Sequence, residues 1–127
     1  KEKFGIPYNK DELPYHPKLG RVKELSLEDY MKQPALSLFS SHRFAVICKR
    51  KYLKEVKTIL LQKYYEKEII ELDKNEKVAR QKISLCSVEM SAGLEFEDVI
   101  VFEKGMNQFE KYVAESRALE NLTVIDD

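Results

Sequence analysis

Residues able to do chemistry cluster in two stretches of this chain. In the middle, Lys51, Lys54 and Lys57 recur every third residue, and Tyr64-Tyr65 follows them. Ammonium groups at that spacing could meet phosphates, and a tyrosine ring could stack a base. A solvated helix face and a ring packed in the core are the competing readings. Near the C-terminus stand Gly93-Leu94-Glu95-Phe96 and, further on, Tyr112-Val113-Ala114-Glu115-Ser116-Arg117-Ala118. By spacing alone, Arg117 can pair with Glu110 or Glu120 along one helix. Gly93 and Glu95 can likewise be a turn glycine and a helix-start carboxylate. Cys48 and Cys86 fall within apolar runs and read as small buried hydrophobes. His16 and His42 have no partner pattern and are assigned no chemistry. The chain contains no Gly-x-x-x-x-Gly-Lys-Ser/Thr loop, dinucleotide glycine fingerprint, nucleophile elbow or His-Glu-x-x-His. Autonomous nucleotide hydrolysis is therefore not expected.

These residues need a fold to position them. A length of 127 residues with 43% hydrophobic content suits one domain with a real core. No apolar run approaches the ~20 residues of a membrane span, and no signal peptide opens the chain. Two cysteines make neither a disulfide framework nor a four-ligand zinc site, so a reducing, cytoplasmic setting is expected. The start at Lys1 is compatible with a fragment of a longer protein. The zero net charge hides an asymmetry: residues 1–41 carry +1, residues 42–82 carry +6 and residues 83–127 carry −7. A basic middle could track a phosphate backbone, and two mutually neutralising solvated faces are the alternative.

Residues 1–40 read as a loop-rich lead segment with a weak strand near Arg21–Leu27. A short helix capped at Ser26 follows, with Pro34 near its end. Residues 41–127 form the domain proper. Phe44–Cys48 is a strand covered on both faces, and Leu53, Val56, Leu60 and Tyr64 mark a helix. Brief strands are expected at Ile69–Leu72 and Ile83–Val88, with a turn at Asp73–Asn75. A buried strand at Val99–Phe102, a helix from about Asn107 to Asn121 and a last strand at Leu122–Ile125 complete the pattern. Strands alternating with amphipathic helices predict an α/β fold with a mainly parallel sheet. Ligands in such sheets bind beyond the carboxyl ends of strands, which directs attention to the loops after Val88 and Phe102.

Ser91-Ala92-Gly93-Leu94-Glu95-Phe96-Glu97-Asp98-Val99-Ile100-Val101 and Tyr112–Ala118, the latter leading to Leu122-Thr123-Val124-Ile125, together resemble the last two motifs of UvrD/Rep-type superfamily-one helicases. That family reads "KGLEFD-x-V-x-V" at the first and "Y-V-A-x-T-R-A…L-x-V" at the second. The resemblance covers residues 87–126 and extends loosely back to Phe44. It implies the second RecA-like motor domain of an ATP-driven helicase, flanking helices included. A first, N-terminal RecA-like domain of the same protein would supply the phosphate loop. By position, Gly93 would let the backbone approach the nucleotide, Glu95 would accept a hydrogen bond from the ribose, and Arg117 would act as an arginine finger on the γ-phosphate. A guanidinium is a rigid, permanently charged fork suited to phosphate oxygens, and a carboxylate accepts from sugar hydroxyls. ATP with Mg2+ would be shared between the two domains. Closure on it would couple hydrolysis to stepping along single-stranded DNA or at a duplex junction. Ser87, Lys51 and Lys54 are the candidate nucleic-acid contacts. The short Glu103–Lys111 link resembles the compact relatives, among them the HelD-like proteins that act on RNA polymerase. No membrane partner is implied.

The departures are as specific as the matches. Ser87, Glu89 and Ala92 stand where the family has Thr, His and Lys. Ser116 replaces a Thr, Gln108-Phe109-Glu110 replaces an Arg-Arg-Leu run, and no Asn-Tyr-Arg-Ser segment occurs. These changes keep open a second reading, a degenerate helicase-like domain that binds or scaffolds without hydrolysing ATP.

Overall fold

The computed structural model describes residues 21–126. Residues 1–20 of the lead segment, with Pro7, Pro14, His16 and Pro17, lie outside them. In order come β1 (Arg21–Leu25), α1 (Leu27–Lys32), β2 (Phe44–Cys48), α2 (Leu53–Leu60), β3 (Ile69–Glu71), β4 (Ile83–Ser87), α3 (Val88–Ser91), β5 (Phe96–Phe102), α4 (Gln108–Glu115) and β6 (Ala118–Ile125). Short 3-10 turns occupy Arg50–Tyr52, Glu66–Glu68 and Leu72–Lys74.

The six strands make one sheet in the order β1-β6-β5-β2-β4-β3, and each pairing is parallel. The alternation of side chains along each strand divides the core into two layers. Phe44, Val46 and Cys48 of β2, with Ile83, Leu85, Ile100 and Phe102, pack against α1 and α2. Ala45 and Ile47, with Cys86, Val99, Val101, Leu122 and Val124, pack against α3 and α4. Strands covered on both faces need apolar residues at successive positions, which is why Phe44–Cys48 is an unbroken apolar run. The result is an α/β sheet flanked by helices, consistent with a RecA-like fold. No helix among the described residues is long and apolar enough to cross a membrane.

Local chemistry sets the element ends. Ser26 caps α1 by accepting from the Asp29 amide at 3.0 Å. At the other end of α1, Lys63 donates to the carbonyls of Tyr30 at 3.0 Å and Gln33 at 2.5 Å. Its ammonium also lies 4.5 Å from the centre of the Tyr30 ring, which ties α1 to the segment after α2. Asn107 and Glu110 form a reciprocal capping box at the start of α4. Gly105, at φ 79°, turns the chain between β5 and α4. A Cβ there would lie 3.1 Å from the Tyr52 ring and 3.3 Å from Lys49 Cδ, so this turn needs glycine.

Several element ends differ from expectation: α2 stops at Leu60, short of Tyr64, and β5 begins at Phe96, ahead of Val99. The last helix ends at Glu115, and residues 118–121, expected to be helical, are the opening of β6. There β-pairing with β5 overrides the modest helix propensity of Ala-Leu-Glu-Asn. Val88 begins α3 instead of closing β4, and Leu72 starts a 3-10 turn instead of closing β3. Strand β1, in the lead segment, is an integral edge of the sheet, pairing with β6 from Arg21↔Asn121 to Leu25↔Ile125.

Leu60 is fully buried beneath α2. Leu60→Ala should cost about 2–5 kcal/mol in urea unfolding, and a cost below ~1 kcal/mol would contradict this packing.

Candidate functional site

Both C-terminal motifs are crossovers on the same face of the sheet. The first leaves the carboxyl end of β4 at Ser87, passes through α3 and reaches the amino end of β5 at Phe96. The second leaves β5, passes through α4 and reaches the amino end of β6 at Ala118. Because the strands are parallel, Gly93, Glu95 and Arg117 arrive together at the amino ends of β5 and β6. This is the opposite edge from the carboxyl ends to which the general rule for parallel sheets points. That rule describes loops after strands, whereas these residues precede theirs.

Backbone and side chain join the two segments. The Phe96 amide donates to the Arg117 carbonyl at 2.9 Å. The Arg117 guanidinium donates to the Val113 carbonyl at 3.1 Å, the Leu94 carbonyl at 3.3 Å and Ser116 Oγ at 3.1 Å. Arg117 therefore does not pair with Glu110 or Glu120. Glu110 receives Lys49 Nζ at 3.1 Å, and Glu120 lies 3.4 Å from His42 Nε2. A guanidinium has five N–H donors, so these three bonds leave two to offer outward. Gly93 sits at φ 86° with nothing within 4 Å of where a Cβ would stand, so its backbone is open to a ligand. Glu95 is exposed.

The other sequence-nominated residues lie apart from this edge. Ser87 is fully buried at the carboxyl end of β4. Its hydroxyl donates to Asp73 at 2.7 Å and accepts from the Met90 amide at 3.1 Å, while its own amide donates to Asp73 at 2.8 Å. Lys51 and Lys54 are exposed, with Lys51 Nζ 5.3 Å from the centre of the Tyr52 ring. Lys57 is paired with Glu71 at 2.7 Å, a bond that raises the lysine pKa and lowers that of the glutamate. Tyr64 is buried and Tyr65 is exposed. Cys48 and Cys86 are buried and free. Desolvation pushes the Cys48 thiol up to about 12 and Cys86 higher still, so neither is a nucleophile at neutral pH.

Sequence reading missed a polar network at the same edge. His42 Nδ1 lies 2.8 Å from Asp98 Oδ2, and Asn121 donates to Asp98 Oδ1 at 2.5 Å. The pairings Phe44↔Asp98 and Asp98↔Asn121 bring these groups together. Between Phe96 and Asp98 the β5–β6 register is irregular. The network opens on a cleft of about 420 Å³ that also reaches Arg21 and Lys23. Beside it Arg43 grips Glu97 through Nε and a terminal nitrogen, both at 3.1 Å, and its amide donates at 2.7 Å. Those hydrogen bonds hold the Glu97 carboxyl down at about 2. No local signal could reveal the histidine, since its partner is 56 residues away.

The hydrogen bond to Asp98 raises the His42 pKa, aided by the negative charges of Asp98, Glu120 and Glu97 and opposed by desolvation. A raised histidine pKa stabilises the fold below the unfolded value of about 6.5, and that contribution fades as pH rises through the folded value. The stability gap between wild type and His42→Gln should therefore be larger near pH ~5.5 than near pH ~8.5. A gap independent of pH would contradict a protonated His42–Asp98 pair.

No family model matches the chain, and no curated protein matches it. A solved structure does: the C-terminal domain of a possible DNA helicase from Lactobacillus plantarum WCFS1, at 17% identity and a TM-score of 0.56. The match covers 87% of this chain and 74% of that one, so the two share a fold over most of their lengths.

Proposed function

We propose that this chain is the second RecA-like motor lobe of an ATP-dependent, UvrD-like superfamily-one helicase or translocase. One juxtaposition carries the reading. Two motif segments, separate in sequence, meet at one edge of a parallel sheet, with Arg117 bonded to the Leu94 carbonyl between Gly93 and Glu95. The shared fold with a helicase C-terminal domain supports the same reading. The short β5–α4 link, turned at Gly105 and capped at Asn107, supports a compact relative without a large inserted subdomain. A HelD-like role beside RNA polymerase belongs to this reading.

The residues present fit a nucleotide. Open space beside Gly93 would let the main chain come close, and the exposed Glu95 carboxylate would accept from ribose hydroxyls. Arg117 is held in reserve. Its present acceptors are neutral oxygens, and a phosphate offers stronger, charge-assisted bonds when an opposing lobe closes. ATP bound between the lobes would supply the phosphoryl group for transfer to water, with Mg2+ on its phosphates. Arg117 would then stabilise the spreading charge, and its withdrawal on opening would link hydrolysis to movement along a DNA strand. The phosphate loop belongs to the other lobe, so this chain alone should not hydrolyse ATP.

A scaffold without ATPase activity is the second reading. It is favoured by the internal commitment of the Ser87 hydroxyl and by the exposed Glu89 where the family carries a histidine.

Strand-stimulated ATP hydrolysis by the intact protein separates the two. Arg117→Ala should lower it by ~10³-fold or more, with thermal unfolding checking that the fold survives. Equal rates would remove the finger assignment, and an inactive wild type would favour the scaffold. Glu95→Ala should chiefly weaken nucleotide affinity, and an unchanged affinity would remove its ribose role.

A further inference from the structure

The segment between α1 and β2 crosses the amino-terminal edge of the sheet as a pinned strap. Leu38 is buried in the core, and the Leu36 amide donates to the Tyr64 hydroxyl at 2.9 Å. Ser37 and Ser40 hydroxyls accept from the Phe39 and His42 amides at 3.4 and 3.0 Å. The strap so held displays Phe39 with 83% of its surface exposed, the most open large hydrophobic residue among the described residues. One exposed aromatic needs no explanation by itself. Phe39, however, lines a cleft of about 510 Å³ that Lys67, Arg80 and Lys82 also line. Among the described residues, none of these three cations forms an ion pair. Lys82 Nζ donates to the Lys67 carbonyl at 2.5 Å, which braces that lining. Gln81 adopts φ 61°, a left-handed conformation costing about 1 kcal/mol outside glycine, in the turn that carries Arg80 and Lys82. Glu68 is the single acidic residue lining the cleft, and its carboxylate accepts from the Tyr65 amide at 2.9 Å.

We infer that this cleft binds single-stranded nucleic acid, with one base stacked on Phe39 and adjacent phosphates on Lys67 and Arg80. An open aromatic ring and cations without acidic partners lining one cleft are the two features that a splayed base and its backbone require. A duplex hides its bases inside the stack, and an acidic peptide has no use for the open ring. The cleft lies at the start of β3 and β4, across β2 from the Gly93–Arg117 edge, and away from Ser87. The inference deepens the motor-lobe reading by naming where a strand rests. Its test uses no ATP, so its failure would leave the hydrolysis test untouched.

The test is fluorescence anisotropy of the full 127-residue chain with a labelled oligothymidylate, across a salt series. Phe39→Ala should weaken binding about tenfold, within the range for loss of a base–aromatic stack. Phe39→Trp should retain binding, which separates stacking from folding damage. Lys67→Ala with Arg80→Ala should flatten the slope of log affinity against log salt by about 1.4, two single-strand phosphate contacts' worth. Phe109→Ala, an exposed aromatic on α4, should change nothing. Undetectable binding, an unaltered affinity in Phe39→Ala, or equal binding of polyglutamate would each overturn the inference, the last pointing to an acidic protein partner.

Discussion

The parallel pairing of β5 with β6 is the constraint on which the rest depends. Phe96 opposite Ala118 fixes where each motif segment must end, because a parallel strand can begin only where its crossover delivers it. The Phe96 amide on the Arg117 carbonyl and the Arg117 guanidinium on the Leu94 carbonyl close that junction. Fully buried Ala114, Ala118 and Phe96 pack beneath it, so the junction stands on the core shared by α3 and α4. An arginine resting on neutral main-chain carbonyls is kept at this edge, and a charged oxygen can take it from them because charge-assisted bonds are the stronger ones.

The same edge concentrates charge. Arg43 on Glu97, His42 on Asp98 and Asn121 on Asp98 all lie where β2, β5 and β6 begin. At the other end of the sheet, Ser87, Asp73 and Arg50 form a compact cap, with Arg50 Nε 3.5 Å from Asp73. The acidic groups there are mostly consumed in holding turns, as Asp73 holds Ser87 and Glu110 holds Asn107. Part of the charge asymmetry of the sequence is spent in pairs between the basic middle and the acidic C-terminal third, such as Lys49–Glu110 and Arg43–Glu97. Lys67 and Arg80 are among the cations of the basic middle that have no acidic partner among the described residues, as are Lys51, Lys54 and Lys82.

Much of the architecture was legible because burial on both faces leaves a blunt signature. Phe44–Cys48 reads as a strand from its apolar run, and Ser26 reads as a cap from its hydroxyl three residues before Asp29. The end of α4 was not legible. Ala118–Asn121 has ordinary helix formers, and only the partner strand, far off in sequence, makes it β. Arg117 was singled out through its neighbours Tyr112–Ala114, while its acceptors, main-chain carbonyls, leave no mark on sequence. His42 was invisible as a site residue because register between β2 and β5, and nothing local, brings it to Asp98. Phe39 was passed over for a similar reason. Its exposure depends on the strap just before it being anchored, by buried Leu38 and by the Leu36 amide on Tyr64.

The central claim is that Gly93, Glu95 and Arg117 form half of a nucleotide site. The most direct test is a structure of the intact protein bound to ADP, Mg2+ and a γ-phosphate mimic. The account predicts that the nucleotide lies against the Gly93 main chain, with Glu95 on the ribose and the Arg117 guanidinium turned from the Val113 and Leu94 carbonyls toward the mimic. A nucleotide bound elsewhere, with Arg117 still on those carbonyls, would contradict it.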